Sequence, residues 1–110
     1  MSQFKHLVLL RFAPTTPRES IAEVFEALDD LQEKIPGIVD IASGPYESPE
    51  GLNKGFTHAF VVTFADVEAR DTYLDHPAHE VVKQLIGAQL TGGLADVIAF
   101  DFKVCDRFRY

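Results

Sequence analysis

Four histidines and one tyrosine are the side chains of this sequence best suited to handling protons near neutral pH. Three of the five fall within "DTYLDHPAHE", as Tyr73, His76 and His79. His6 stands in "KHLVLLRF" and His58 in "FTHAFVVTF". An imidazole paired with a phenol can take a proton from a carbon beside a carbonyl while a second polar group polarises the carbonyl oxygen. In this scheme Tyr73 and His79 form the acid/base pair, and His6 and His58 orient or polarise. The competing expectation is that His6 and His58 are core histidines bonded to each other, to Tyr73 or to backbone. His76 precedes Pro77, which suits a helix cap or hinge, with ligand contact as its further candidate role.

Other chemistries fit less well. His76 and His79 are three apart, but Pro77 disturbs the helical spacing that zinc ligands use, so no metal is expected. Ser43 and Ser48 lack a nucleophile elbow, and "TGG" at Thr91 to Gly93 has neither the lysine nor the length of a phosphate loop. Cys105 is the one cysteine, without neighbours that would activate it, and it fits a reducing compartment.

The elements that must position these residues follow from apolar periodicity. "FKHLVLLRF" reads as a strand with Phe4, His6, Val8, Leu10 and Phe12 on one face. "APTTPRES" predicts a helix start with Thr16 as cap, Pro17 at the first helical position and Glu19 closing a capping box. Ile21, Val24, Phe25, Leu28 and Leu31 then recur at helical spacing, and the acids around them form a solvated face. Pro36 and Gly37 end that helix. "IVDIAS" is a short second strand, and a loop rich in glycine and proline follows it. "FTHAFVVTF" alternates, with Phe56, His58, Phe60, Val62 and Phe64 on one face. Asp66 caps a helix through about Leu74, and Pro77 starts another at a new angle with Val82, Leu85 and Ile86 apolar. "DVIAFDFKV" closes as a strand with Ile98, Phe100 and Phe102 in phase.

Strand, helix, strand, strand, helix, strand in 110 residues describes one α+β domain spanning residues 1–110. The expected architecture is ferredoxin-like: a four-stranded antiparallel sheet with helices on one face. The alternate positions Leu7, Leu9, Val39, Ile41, Ala59, Val61, Val97 and Ala99 are also mostly apolar, so the second face needs cover. A homodimer packed sheet to sheet supplies it, giving a dimeric α/β barrel. Phe108 and Tyr110 in the C-terminal "KVCDRFRY" either anchor on that dimer or fray. Seventeen acidic against ten basic residues, a net charge of −7, argue against nucleic acid as a partner. The apolar run near the start is too short to span a bilayer and no cleavage site follows it, so a soluble cytoplasmic protein is expected, with no membrane association.

"KHLVLLRF", "GFTHAFVVTF" and "YLDHPAHE", at these separations, resemble the Dabb family of stress-responsive dimeric α/β barrel proteins over nearly the whole chain. The resemblance implies the dimeric barrel. It extends to members that cyclise linear polyketides by aldol condensation with no cofactor and no metal, and it matches His6, His58, Tyr73 and His79 to their polar site residues. The function implied is cofactor-free proton transfer of cyclase or lyase type next to a carbonyl, on a small apolar or aromatic ligand. Phe25, Phe60 and Val8, with His76, are the candidate ligand contacts. Two other functions stay open: a stress-response protein that binds such a molecule without turnover, and, by fold analogy, a cofactor-free monooxygenase.

Overall fold

The computed structural model describes residues 2–107 and 109–110. Strand β1 spans Phe4–Leu10, and helix α1 (Arg18–Asp29) follows, continued after one residue by the single turn α2 (Leu31–Lys34). Strands β2 (Ile38–Pro45) and β3 (His58–Phe64) come next, then helices α3 (Val67–Asp75) and α4 (Pro77–Ala88). A 3-10 turn at Gly93–Asp96 leads into strand β4 (Val97–Lys103). The four strands form one antiparallel sheet in the order β2-β3-β1-β4. This is the ferredoxin-like α+β arrangement that the element order implies.

The core lies between the sheet and its helices. Val8, Leu10 and Phe12, in phase along and just beyond β1, and Phe60, Val62 and Phe64 from β3 are all buried. Val24 and Leu28 of α1, Leu31 of α2, and Val82 and Ile86 of α4 close over them. At roughly 1.5–3 kcal/mol for each fully buried large apolar side chain, this layer is the main favourable term in folding.

Three local expectations need correction. Pro17 is extended (ψ 143°) and takes the N-cap position with no side-chain cap, so the helix starts one residue later than expected and no Thr16–Glu19 capping box forms. In β2 the register shifts between Ile38 and Asp40, a bulge at Val39 that leaves Ile38 and Ile41 both on the core side and Val39 exposed. Ile41 therefore belongs to the core and not to the outer face.

Strand β4 is reversed relative to expectation. Its pairing sets Val97 opposite Leu10, Ala99 opposite Val8 and Asp101 opposite His6, all on the helix side. Ile98, Phe100 and Phe102 lie opposite Leu9, Leu7 and Lys5 and point outward. Ile98, Phe100 and Phe102 form the more apolar alternation of this strand, so periodicity points to the phase that the pairing overturns. Outward-facing Phe100 is 60 % exposed. With Ile98, Phe102, Leu7, Leu9 and Val61 it makes an apolar outer face across three strands. Phe108 lies outside the described residues. Tyr110 is almost fully exposed.

Candidate functional site

Between α4 and the β1–β4 half of the sheet lies a cavity of about 410 Å³. Its wall is mostly apolar, with Val8, Leu10, Phe60, Val82 and Ile86 among its residues, and His6, Tyr73 and His79 stand together in it. Volume and lining are those of a small-molecule site, a few polar groups set in an apolar wall.

The junction of α3 and α4 brings two of those rings together. The residue before a proline is disfavoured in helical geometry, so α3 stops at Asp75 and His76 is extended (φ −75°, ψ 135°). The His76 N–H still bonds Tyr73 O at 3.2 Å, while its side-chain Nδ1 accepts the Ala78 N–H at 3.0 Å and caps α4. That kink packs Tyr73, in the last turn of α3, against His79, in the first turn of α4, with ring centroids 4.2 Å apart. Tyr73 also meets His6 at 5.7 Å and Phe64 at 5.0 Å. "DTYLDHPAHE" is thus a helix start and the hinge that assembles the ring cluster.

Hydrogen bonds assign the tautomers. His79 Nδ1 lies 3.3 Å from the Leu74 carbonyl oxygen, which can only accept, so Nδ1 carries the proton and Nε2 keeps a free lone pair. His6 Nδ1 lies 2.6 Å from Asp101 Oδ1, and Arg70 Nη1 donates to the other carboxylate oxygen at 2.8 Å. Burial pushes the Asp101 carboxyl up, but the bonds from His6 and Arg70 outweigh it and hold the group below the usual carboxylate range. The carboxylate is ionised, so His6 Nδ1 also donates and its Nε2 is free. Among the described residues neither Nε2 has a hydrogen-bond partner, nor has the Tyr73 hydroxyl, and no sealed-off side-chain N or O atom lacks a partner.

Burial is the larger influence on both members of the Tyr73–His79 pair. It pushes the His79 imidazolium down, reinforced by the positive charge of Lys83 and of any His6 imidazolium, against the Leu74 bond and Glu80. The Tyr73 phenol is pushed well up by burial and then by the negative charge of Asp101. Both groups are neutral at physiological pH: an imidazole with a free lone pair on a ring packed against a phenol that keeps its O–H.

His58 stands elsewhere. The antiparallel register pairs it with Leu10, whereas His6 pairs with Val62, so the two histidines are four residues apart along the strands, about 13 Å at ~3.3 Å per residue. His58 stacks on Phe25 at 5.7 Å and meets Phe12 edge-on at 5.2 Å. Its Nδ1 donates to Thr57 Oγ1 at 2.9 Å, because the Thr57 hydroxyl is itself committed to Leu10 O. Burial depresses its pKa too. The expected grouping therefore divides: His6, Tyr73 and His79 with Val8 and Phe60 line the cavity, whereas His58 and Phe25 form a separate aromatic cluster and His76 serves as a cap outside it. Among the described residues no group of three or more His, Cys, Asp or Glu side chains is placed to hold a metal ion.

The sequence reading missed Asp101, Arg70 and Lys83. Asp101 is the polar residue in phase with Val97 and Ala99, a signal hidden by assigning the opposite phase to β4. Arg70 reaches Asp101 from α3 and also covers the Phe4 ring at 5.4 Å, contacts that depend on tertiary placement.

Comparison with known proteins places these residues in a family context. The family model described as stress responsive A/B barrel domain, Dabb, matches residues 4–104. The chain is 31 % identical over 104 residues to a stress-response A/B barrel domain-containing protein of Arabidopsis thaliana, covering 94 % of this chain and 87 % of that protein. It is 33 % identical over 75 residues to olivetolic acid cyclase of Cannabis sativa, covering 68 % and 74 % of the two chains. Among solved structures it superposes on a dimeric ferredoxin-like protein of unknown function from Jannaschia sp. CCS1 with a TM-score of 0.83 and 27 % identity, over 93 % of this chain and 99 % of that one.

Proposed function

The chain belongs to the Dabb family of stress-responsive A/B barrel domains, and from that membership we propose a cofactor-free proton-transfer enzyme of cyclase or lyase type, acting beside a carbonyl. The observation that carries this reading is the packing of the Tyr73 and His79 rings, with centroids 4.2 Å apart and both the His79 Nε2 and the Tyr73 hydroxyl unengaged, in the wall of an apolar cavity. A cyclase among the relatives supports it.

In the proposed reaction the Tyr73 O–H donates to the ligand's carbonyl oxygen, and His79 Nε2 takes the proton from the adjacent carbon. The C–H electron pair moves into the enolate, which either attacks a second carbonyl carbon in a cyclisation, the new alkoxide then taking the proton back from His79, or recovers that proton at carbon. A neutral Tyr73 suits this role, because a phenol can donate where a phenolate cannot. His6, its Nδ1–H held by Asp101, is the second imidazole at the ligand. Its orientation is fixed as that of a general base is by a buried carboxylate.

The same proposal makes the protein a homodimer through the outer sheet face. Supporting it are the apolar band of Leu7, Leu9, Val61, Ile98, Phe100 and Phe102 and the dimeric ferredoxin-like relative.

The test is solvent-deuterium exchange into the α-position of a panel of aryl methyl ketones and linear 3,5-dioxo acids, followed by NMR. The wild-type protein accelerates exchange of a fitting panel member and His79→Ala loses the acceleration. An unchanged rate in that variant refutes the assignment of His79. Ligand binding with no accelerated exchange favours the non-catalytic binding protein instead.

A further inference from the structure

We propose that the cavity takes an amphipathic anion: an apolar chain or ring ending in a carboxylate that Lys83 meets at the rim. This inference deepens the proposed function, resting on its choice of cavity while naming the charge class of the molecule that enters.

The charge of the cavity wall is the first observation. The chain carries 17 acidic against 10 basic residues. No aspartate or glutamate lines the cavity among the described residues, and its one permanently charged side chain is Lys83. An acidic protein has thus kept its acids out of this wall and placed an ammonium in it. A neutral apolar ligand gains nothing from such a group, and a cationic one is repelled.

Placement is the second. Lys83 lies four residues after His79 on α4, about 6 Å along the axis at ~1.5 Å per residue, so both project from one face of the helix. Gly87, a further turn along, also lines the cavity, and a Cβ built there meets nothing within 4 Å. This face of α4 thus runs from the reacting end past a cation into open space. The ammonium is near enough for its charge to help depress the His79 pKa.

Availability is the third. The Lys83 side chain is 58 % exposed, and its Nζ lies 3.5 Å from Glu80 Oε2, the one salt bridge it makes among the described residues. An exposed pair of this kind contributes little, so the flexible lysine can exchange Glu80 for a ligand carboxylate at small cost. A carboxylate held at the rim leaves the ligand's apolar body against Val82 and Ile86 and a nearby carbonyl within reach of Tyr73 and His79.

The experiment compares octanoate with octanamide, matched in size and chain but differing in charge at neutral pH. Dissociation constants are measured by NMR titration at pH 7.5 and low ionic strength for the wild-type protein, Lys83→Met and Lys83→Arg. The expected result is about fivefold tighter binding of octanoate by the wild-type protein, the upper end for a half-exposed ion pair. That preference weakens with salt, is retained in Lys83→Arg and is lost in Lys83→Met. Equal affinities in the wild-type protein, a preference that survives Lys83→Met, or no binding of either probe overturns the proposal. Because neither probe needs to react, a failure here leaves the deuterium-exchange test of His79 standing, and a failure there leaves this charge preference standing.

Discussion

Replacing Asp101 by asparagine tests the polar architecture behind the site. The carboxylate sits between two donors, His6 Nδ1 at 2.6 Å and Arg70 Nη1 at 2.8 Å, with its side chain 26 % exposed. Asparagine has nearly the same shape but one acceptor and one donor end: with its oxygen on Arg70, its NH₂ meets His6 Nδ1, which accepts only if the His6 proton moves to Nε2, and in the other orientation its NH₂ faces the Arg70 N–H. One charge-assisted bond, about 1.5–3 kcal/mol, is lost, and the other falls to a neutral bond of about 0.5–1.5 kcal/mol. Water at the partly exposed carboxylate recovers some of this, leaving a net loss of about 2 kcal/mol. In a domain of this size that lowers the melting temperature by roughly 10 °C. Thermal unfolding by circular dichroism at pH 7.5 measures it, and a double-mutant cycle with Arg70→Met returns a coupling of about 1 kcal/mol.

The pH dependence of the same variant carries its own sign. Asp101 is held below its ordinary value of 3.8, so the stability it contributes is complete above that value and is lost as pH falls through the folded-state pKa. The gap between wild type and Asp101→Asn therefore closes in acid. A melting temperature within about 2 °C of wild type at pH 7.5, together with additive effects in the cycle, would show that Asp101 does not tie His6 to Arg70.

Tyr73→Phe keeps the packing on Phe64 and His79 but removes the donor hydroxyl, so exchange into the ligand slows about 100-fold while the fold is retained; deuterium NMR and circular dichroism read the two effects. His76→Ala removes the cap of α4 and lowers stability by about 1 kcal/mol in urea unfolding. His58 and His79 are both held below 6.5, so the unfolded chain protonates first: the stability they contribute is full above that pH and lost as pH falls towards their folded values. The urea midpoint accordingly declines from pH 8 to pH 5, and less steeply in His79→Gln. Phe100→Glu places a charge in the outer apolar face, and light scattering then finds monomers where the wild-type protein gives dimers.

Most of the fold was legible because its strands and helices carry strong periodicity. The alternation in β1 and β3 placed His6, Val8, Phe60 and Val62 on the core face, and Asp66 and Pro77 marked the two helix starts that flank the hinge. What escaped was information that no single element holds. The more apolar phase of strand β4, Ile98, Phe100 and Phe102, points outward to the face proposed for a partner; only pairing with β1 shows that Asp101 sits opposite His6. Register likewise separates His58 from the other rings, since alternation gives the face of a strand residue but not its height along the sheet. The bulge at Val39 moved Ile41 inward for a related reason: one extra residue reverses a strand's phase.

His6, Tyr73 and His79 are proposed to form one proton-handling site, with His58 and His76 outside it. Long-range ¹⁵N NMR of the four imidazoles, recorded with and without an aryl methyl ketone that the protein binds, tests this most directly. The expected spectra show Nδ1–H tautomers for His6, His58 and His79 and the Nε2–H tautomer for the cap His76, with ligand shifting only the Nε2 resonances of His6 and His79. Tyr73→Phe is also expected to move the His79 titration and to leave that of His58 in place. Nε2–H on His79, or a ligand response equal at all four rings, contradicts this assignment.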